Sequence, residues 1–164
     1  MDTLSHGLYG GVAFGRNSRR SYWIAFLAGV LPDILVFGPT FLRRIFGNRV
    51  IIEPPDPSTI PAYLYEGYNI THSLVVFTVV FGIIWFIRHR PMWELGGWGL
   101  HILIDIPTHA TRFFPTPYLW PFPHPKVDGH SWFSPEIFIP NVLLLIILYA
   151  IWFWKSRKKP RVSL

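Results

Sequence analysis

Apolar stretches alternate with short basic or proline-rich segments along this chain, and the apolar stretches predict its helices. A membrane-spanning helix needs roughly 17 to 25 mostly apolar residues. Five stretches approach that length or character, and the clearest is 137–154, followed by 73–87, 22–38, 92–110 and 2–15. The pattern therefore predicts an all-α fold, a polytopic membrane bundle of about four to five membrane-embedded helices.

Two loops rich in proline and aromatic residues separate these helices. One spans 39–70 and the other spans 111–136. Each proline removes a backbone donor and restricts the residue before it, so neither loop favours a long helix. The aromatic residues suggest that both loops fold onto the membrane surface. We expect a single membrane-embedded domain over 1–154, followed by a basic tail over 155–164.

The composition supports a membrane protein and excludes several other classes. Hydrophobic residues make up 51% of the chain and charged residues only 15%, against about 25% charged residues in average soluble domains. The absence of cysteine excludes a disulfide scaffold, a zinc finger and thiol chemistry. The net charge of +6 is compatible with nucleic-acid binding, but the main basic run directly follows the stretch 137–154. That position is typical of a membrane topology signal, so we expect no nucleic-acid partner.

The distribution of basic residues predicts an orientation. If the five segments alternate, ten of the fifteen Lys and Arg residues fall on one side, in 16–21, 88–91 and the tail. By the positive-inside rule, that side is cytoplasmic. We therefore expect an integral protein of the inner or plasma membrane, with the C-terminal tail in the cytoplasm. Both proline-rich loops would lie on the extracytoplasmic side.

If the segments alternate in this way, most of the titratable residues lie at one depth in the membrane. Six of the seven histidines and eight of the nine acids fall on the outer side or in the outward half of a segment. His101 and Asp105 lie one helical turn apart, on one face of their helix. Ionisable groups inside membrane segments usually face a polar cavity. The residues gathered in this way are His6, Asp33, His72, His101, Asp105 and His109.

A mixed set of imidazoles and carboxylates suits a divalent metal, most readily zinc, with manganese and iron as alternatives. A single buried histidine is more often a hydrogen-bonded core residue, but several such groups from four segments favour a metal site of one or two ions. We expect Asp105 to bridge two ions if two are bound. Thr71, Ser73 and Thr108 are near enough in sequence to orient the ligands.

Several other residues have both a functional and a purely structural interpretation. His130 and Glu136 are candidates for a second metal position or a general acid, although Ser134-Pro135-Glu136 is also a typical helix start. Gly10-Gly11 and Gly96-Gly97 favour close helix packing over phosphate binding. Aromatic residues of the second loop would line an acyl-chain groove or form an interfacial belt; they are Tyr118, Trp120, Phe122 and Trp132.

Together these motifs resemble a known family. Its signatures are His6 in a helix of small residues, Leu31-Pro32-Asp33, Thr71-His72-Ser73, His101-x-x-x-Asp105 and Leu119-Trp120-Pro121-Phe122. The chain resembles the membrane-bound metal-dependent hydrolases, of the LexA-binding, inner-membrane-associated type, and more distantly zinc-dependent phospholipase C. The resemblance implies that His6, Asp33, His72, His101 and Asp105 hold the metal.

The chain departs from this family just before Thr71. The family has His-Arg-Gly where this chain reads Gly67-Tyr68-Asn69-Ile70. A basic residue that the resemblance implies near a substrate phosphate is therefore missing, or else is supplied elsewhere. The candidates are Arg43, Arg44 and Arg112.

Two functions remain open at this point. The first is a metal-dependent hydrolase that cleaves a phosphoester or ester of a lipid or amphiphilic substrate with metal-activated water. Asp105 and His130 are then the candidate catalytic residues. The alternative is a membrane interaction or stress-response protein with a structural metal. A transporter is disfavoured, because the predicted cytoplasmic halves of the segments hold almost no titratable residue. Membrane lipid is the expected partner, and no protein partner is indicated.

Overall fold

The fold consists of helices joined by short turns and one long proline-rich loop. A computed structural model describes residues 1–46, 60–112, 114–123 and 125–157, with the side chains of 43–45 excepted. The helices are α1 (Thr3–Phe14), α2 (Arg19–Phe46), α3 (Ala62–Thr71), α4 (Leu74–Arg88), α5 (Gly96–Thr108, preceded by a 3₁₀ turn at Trp93–Leu95) and α6 (Pro135–Arg157). The described residues form no strand, so the predicted all-α class is confirmed.

Fewer helices are long enough to span a membrane than the sequence pattern predicts. By length and apolar character, two helices qualify: α2 over Arg19–Leu42, and α6. Helices α3 and α4 meet at an angle of 55°, and they form a third span if the pair is counted as one. Helices α1 and α5 have only 12 and 13 residues. They rise about 18 and 20 Å, whereas a bilayer core is about 30 Å thick. The expected four to five spans are therefore not confirmed, and the described residues support two or three.

The predicted loop over 39–70 is partly helical. Helix α2 continues through Pro39 to Phe46, and residues 62–71 form α3. Because the φ angle of proline suits a helix, each internal proline removes one hydrogen bond and bends the helix without ending it. Packing buries Ala25 completely earlier in α2, but Phe41, Leu42 and Phe46 beyond Pro39 are more than half exposed. Helix propensity alone could not predict this continuation.

Helices α1, α2 and α5 pack closely because glycines line their contacts. A methyl group added to Gly10 would lie 2.5 Å from the Ala25 carbonyl oxygen, and one added to Gly97 would lie 2.4 Å from the same atom. Their neighbours Gly11 and Gly96 meet aromatic rings at similar distances. The predicted packing role of both glycine pairs is confirmed. These contacts hold the three helices at a separation that larger residues would prevent.

The second proline-rich loop covers the C-terminal end of α5. The main-chain nitrogens of Gly129 and His130 donate to the carbonyl oxygens of His109 and Pro107, at 3.0 and 2.9 Å. At the other end of the loop, the Trp120 carbonyl accepts the Ser73 hydroxyl at 2.5 Å. The loop is thus fastened to the point where α5 ends and α4 begins.

Helix α6 begins as the sequence predicts. The Ser134 carbonyl accepts the main-chain nitrogens of Ile137 and Phe138 at 3.0 and 2.8 Å, with Pro135 as the first helical residue and Glu136 in the first turn. Glu136 is exposed. The interpretation of Ser134-Pro135-Glu136 as a helix start is therefore confirmed.

Candidate metal centre

Four side chains from three parts of the chain converge near the C-terminal end of α5. Asp33 comes from α2, His72 from the break between α3 and α4, and His101 and Asp105 from consecutive turns of α5. One ligand atom from each lies within 4.8 Å of all the others. The two histidines and Asp105 are at most 1% exposed, and Asp33 is 7% exposed. This cluster could hold a metal ion.

The distances within the cluster match the size of a metal coordination sphere. The two Nε2 atoms of His72 and His101 are 3.0 Å apart. His72 Nε2 lies 3.4 Å from Asp33 Oδ1 and 3.6 Å from Asp105 Oδ2, and His101 Nε2 lies 3.7 and 3.2 Å from the same two atoms. A tetrahedron with metal–ligand bonds of about 2.0–2.1 Å has edges of about 3.3 Å. Five of the six edges are therefore close to that value.

The hydrogen bond of His101 fixes which of its nitrogens faces the cluster as an acceptor. His101 Nδ1 lies 2.7 Å from the Gly29 carbonyl oxygen. A carbonyl only accepts, so Nδ1 carries the proton and donates. In the neutral imidazole, Nε2 then presents a lone pair to the centre. This is the orientation of a histidine that ligates a metal through Nε2.

The same reasoning applies to His72. The Thr71 hydroxyl donates to the Gly67 carbonyl at 3.0 Å, so its oxygen accepts from His72 Nδ1 at 2.9 Å. His72 Nε2 therefore also presents a lone pair. Two lone pairs and two carboxylates around one point repel one another unless a cation lies between them. A proton would join a single pair of these groups, whereas a divalent ion reaches all four.

His6 and the second oxygen of Asp105 extend the cluster. His6 Nε2 lies 2.9 Å from Asp105 Oδ1, an oxygen that the Met1 amino group also contacts. The His6 ring is 1% exposed and stacks on His101, with ring centroids 3.7 Å apart. Although His6 Nε2 is close to Asp105, neither ring nitrogen of His6 has a hydrogen bond of acceptable geometry, nor has Asp105 Oδ2. Unpartnered buried polar atoms are rare, and three of those in the described residues belong to His6 and Asp105.

The remaining sequence-predicted residues lie at or beyond the edge of the cluster. His109 is half-buried, with Nδ1 at 3.5 Å from Asp105 Oδ2 and 3.4 Å from the Tyr68 hydroxyl. Burial lowers the pKa of His109 to about 4, so the free imidazole is neutral at pH 7. His130 is exposed and is not one of the four residues that converge. Its main-chain nitrogen, bonded to Pro107, holds it beside the end of α5.

Only one of the three predicted supporting hydroxyls contacts a ligand histidine. Thr71 bonds His72 as expected. The Ser73 hydroxyl instead accepts from the first main-chain nitrogens of α4, and the Thr108 hydroxyl donates to the Ile104 carbonyl at 2.9 Å. The partner of His101 is the Gly29 carbonyl, 72 residues away along the chain. A backbone acceptor leaves no signal in residue type, so sequence reasoning missed it.

An apolar cavity of about 440 Å³ opens beside the cluster. Asp33, His109 and two threonines contribute polar groups to its lining, and the apolar part includes Phe37, Phe41, Leu64, Phe114 and Trp132. Of the four aromatic residues predicted to line an acyl-chain groove, Trp132 lines this cavity.

The other predicted aromatic residues lie elsewhere. Trp120 and Phe122 line a separate cavity of about 480 Å³, and the Tyr118 hydroxyl donates to the Pro125 carbonyl at 3.4 Å. Among the arginines predicted near a substrate phosphate, Arg112 is exposed. The side chains of Arg43 and Arg44 lie outside the described residues.

Comparison with known proteins identifies a family. No curated protein and no solved structure matches the chain. The family model described as YdjM inner membrane protein matches residues 1–164. This match agrees with the apolar helices in placing the protein in a membrane. The chain therefore belongs to the YdjM inner membrane protein family.

Proposed function

We propose that this protein is an integral-membrane metal-dependent hydrolase that cleaves a phosphoester or ester of an amphiphilic substrate. The observation that carries the proposal is the pair of Nε2 atoms of His72 and His101, which face each other at 3.0 Å between two buried carboxylates, while the Nδ1 atoms contact the Thr71 hydroxyl and the Gly29 carbonyl. Zinc suits this donor set best, with manganese and iron as alternatives. A divalent ion bound there would supply an activated water and polarise a phosphoryl or acyl oxygen.

The chain's own residues have distinct roles in this proposal. Asp33, His72, His101 and Asp105 hold the ion, and the Gly29 carbonyl and Thr71 hydroxyl fix the two imidazoles. Asp105 turns one oxygen toward this set and the other toward His6, which is the arrangement of a bridging carboxylate if a second ion binds.

Two histidines are candidates for proton transfer to or from the substrate. His109 lines the cavity and lies within reach of both Asp105 and the Tyr68 hydroxyl. His130, exposed in the loop over the end of α5, stays a candidate general acid. A general acid must reach the leaving group when the substrate is bound, and its contacts are often long or misaligned before the substrate binds. The exposed position of His130 in the substrate-free structure is therefore compatible with this role.

The apolar cavity supports a substrate with a hydrocarbon chain. Asp33 and His109 line it next to the cluster, whereas Phe37, Phe41 and Leu64 offer the chain apolar surface. A substrate that places its ester beside Asp33 would therefore bury its chain among these residues. A protein embedded in a membrane reaches such substrates without extracting them into water. We place the site on the extracytoplasmic side and the basic tail in the cytoplasm, following the charge distribution of the sequence.

One observation favours a second candidate, a non-catalytic membrane protein with a structural metal. The cluster supplies four protein ligands and is almost fully buried, and structural zinc sites are normally closed by four such ligands. Against this, the Asp33 side chain lines the cavity, so this ligand is the one that a water or a substrate oxygen could displace. Measurements of turnover and stability separate the two candidates.

The test compares metal content and turnover in two matched histidine variants. We expect detergent-purified protein to carry zinc, manganese or iron, His101→Asn to lose it, and His89→Asn to retain it. His89 is an exposed residue with φ 54° at the end of α4, a conformation that asparagine tolerates. The substrates are the dodecyl and methyl esters of p-nitrophenyl phosphate, and faster cleavage of the dodecyl ester is expected.

The outcomes distinguish the candidates. A metal-loaded protein that cleaves neither ester, but whose melting temperature falls on chelation, would support the structural role. A protein without metal after reconstitution would contradict both.

A further inference from the structure

A second polar site lies at the other end of the bundle, about 21 Å along α2 from Asp33, given the 14 residues that separate Asp33 from Arg19. Here the turn between α1 and α2, the first residues of α2 and the last turns of α6 enclose a groove of about 670 Å³. Because this groove shares no residue with the metal centre, an inference about it does not rest on the proposed function.

Three cations line this groove. Arg16 comes from the turn, Arg19 from the start of α2 and Lys155 from the end of α6. In the described part of the chain, none of them forms an ion pair. The sequence holds no acid between residues 3 and 32 or after 136, so neither segment contains an acidic residue that could neutralise them.

Among the described residues, the acid bonded to this end of α2 is already engaged. Glu94 accepts the Ser21 hydroxyl at 2.7 Å, and it does not line the groove. Arg16 donates only its Nε to protein, at 2.7 Å from the Val12 carbonyl. Its terminal guanidinium nitrogens therefore have no hydrogen-bond partner among the described residues. Three positive charges held together without a counter-charge repel one another, and an anion would relieve that repulsion.

The floor of the groove is aromatic and is held in place by hydrogen bonds. Tyr22 and Trp152 stack with centroids 5.4 Å apart and planes 9° apart. The Tyr149 hydroxyl donates to the Leu8 carbonyl at 2.9 Å, so it accepts from the Tyr22 hydroxyl at 2.7 Å. This chain of bonds joins α2, α6 and α1. The groove is therefore preorganised, and its floor offers an apolar surface beside the three cations.

We propose that this groove binds the phosphate of an anionic phospholipid headgroup. The location favours a lipid over free phosphate, because two candidate membrane spans have their ends here, at Arg19 and Arg157. Trp23, which lines the groove and is 49% exposed, is the residue type that concentrates at membrane–water interfaces. Basic clusters next to membrane spans attract anionic lipids. The three cations would contact the phosphate, and the aromatic floor would contact the glycerol and upper acyl carbons.

The test measures binding of short-chain phosphatidylglycerol to the full-length protein in detergent, with short-chain phosphatidylcholine and inorganic phosphate as parallel ligands. The first variant carries Arg16→Gln, Arg19→Gln and Lys155→Gln. The control carries Arg20→Gln, Arg88→Gln and Arg90→Gln, which remove the same charge from exposed residues that do not line the groove. Circular dichroism and melting temperature show that both variants are folded.

We expect saturable binding of phosphatidylglycerol, weaker binding of phosphatidylcholine, and weak binding of inorganic phosphate. Removing each cation is expected to weaken the affinity for phosphatidylglycerol about fivefold, so the first variant should bind it about a hundredfold more weakly. The control should show little change. An equal loss in both variants would overturn the proposal, because the effect would then be general electrostatic attraction. Inorganic phosphate that binds as tightly as the lipid would overturn the assignment to a lipid.

Discussion

Replacing Gly97 by alanine tests whether the packing of α2 against α5 creates the candidate metal centre. The added methyl group would lie 2.4 Å from the Ala25 carbonyl oxygen and 3.1 Å from the Gly29 nitrogen, whereas ordinary contacts begin at 3.4 Å. Both opposing atoms are backbone, so a side-chain rotation cannot relieve the clash. The two helices must separate by about 1 Å, because a packed interior has no free volume to absorb the methyl group.

That separation acts directly on the ligands. Gly29 accepts the His101 imidazole at 2.7 Å, and a shift of 1 Å would lengthen this bond to as much as about 3.7 Å, beyond hydrogen-bond range. Asp33, one turn further along α2, would move away from both histidines in the same way. Because loss of an orienting partner typically costs 10- to 100-fold in metal affinity, we expect a loss in this range. Overpacking should also lower the free energy of unfolding by about 1–3 kcal/mol.

Metal affinity is measured by competition with a chromogenic chelator, and helix content by circular dichroism. The matched control is Gly82→Ala in α4, where an added methyl group meets no atom within 4 Å. It should leave metal affinity unchanged and stabilise the helix slightly, since alanine is the better helix former. If Gly97→Ala binds metal as tightly as the wild type, helix separation does not control the site and the reasoning is refuted.

Three further variants probe the hydrogen bonds around the centre. Thr71→Val should weaken metal binding about 10- to 100-fold by removing the acceptor of His72 Nδ1, with Thr71→Ser restoring it in the same chelator assay. Ser73→Ala should lower stability by about 1 kcal/mol through loss of the α4 cap yet leave metal content intact, and metal loss would place Ser73 in the site. Asn141→Ala should cost about 1–3 kcal/mol in thermal unfolding, because the Tyr9 hydroxyl and the Ser5 hydroxyl lose their buried partner; an unchanged melting temperature would show that this network does not hold α6.

The sequence predicts the members of the centre better than it predicts what supports them. His101 and Asp105 share a helix face at a spacing of four, and the alternation of segments brings Asp33 and His72 to the same depth. These inferences need only helix geometry and the cost of burying charge. The sequence pattern does not reveal the Gly29 carbonyl as the partner of His101, because every residue type has a main-chain carbonyl. The continuation of α2 through Pro39 was missed for a different reason: proline disfavours a helix interior, but it bends some helices without ending them.

The count of spanning helices differs from expectation for a reason that also concerns the site. An apolar stretch predicts burial, but it does not distinguish burial in lipid from burial among other helices. Helices α1 and α5 have apolar character typical of membrane segments, yet with 12 and 13 residues they are too short to cross a bilayer. They pack instead against α2, through the glycine contacts of Gly10 and Gly97 with Ala25.

The short length of α5 also explains the position of the second proline-rich loop. A helix that ends within the bundle leaves its last carbonyl groups without helical partners, and these must be satisfied where water is scarce. The main-chain nitrogens of His130 and Trp132 supply such partners, at 2.9 Å from the Pro107 carbonyl and 3.1 Å from the Thr108 carbonyl. Asp105 lies two residues before Pro107 and three before Thr108. The loop that completes α5 is therefore fastened next to the cluster of Asp33, His72, His101 and Asp105 as well, and the point where α5 ends decides where this loop lies relative to the cluster.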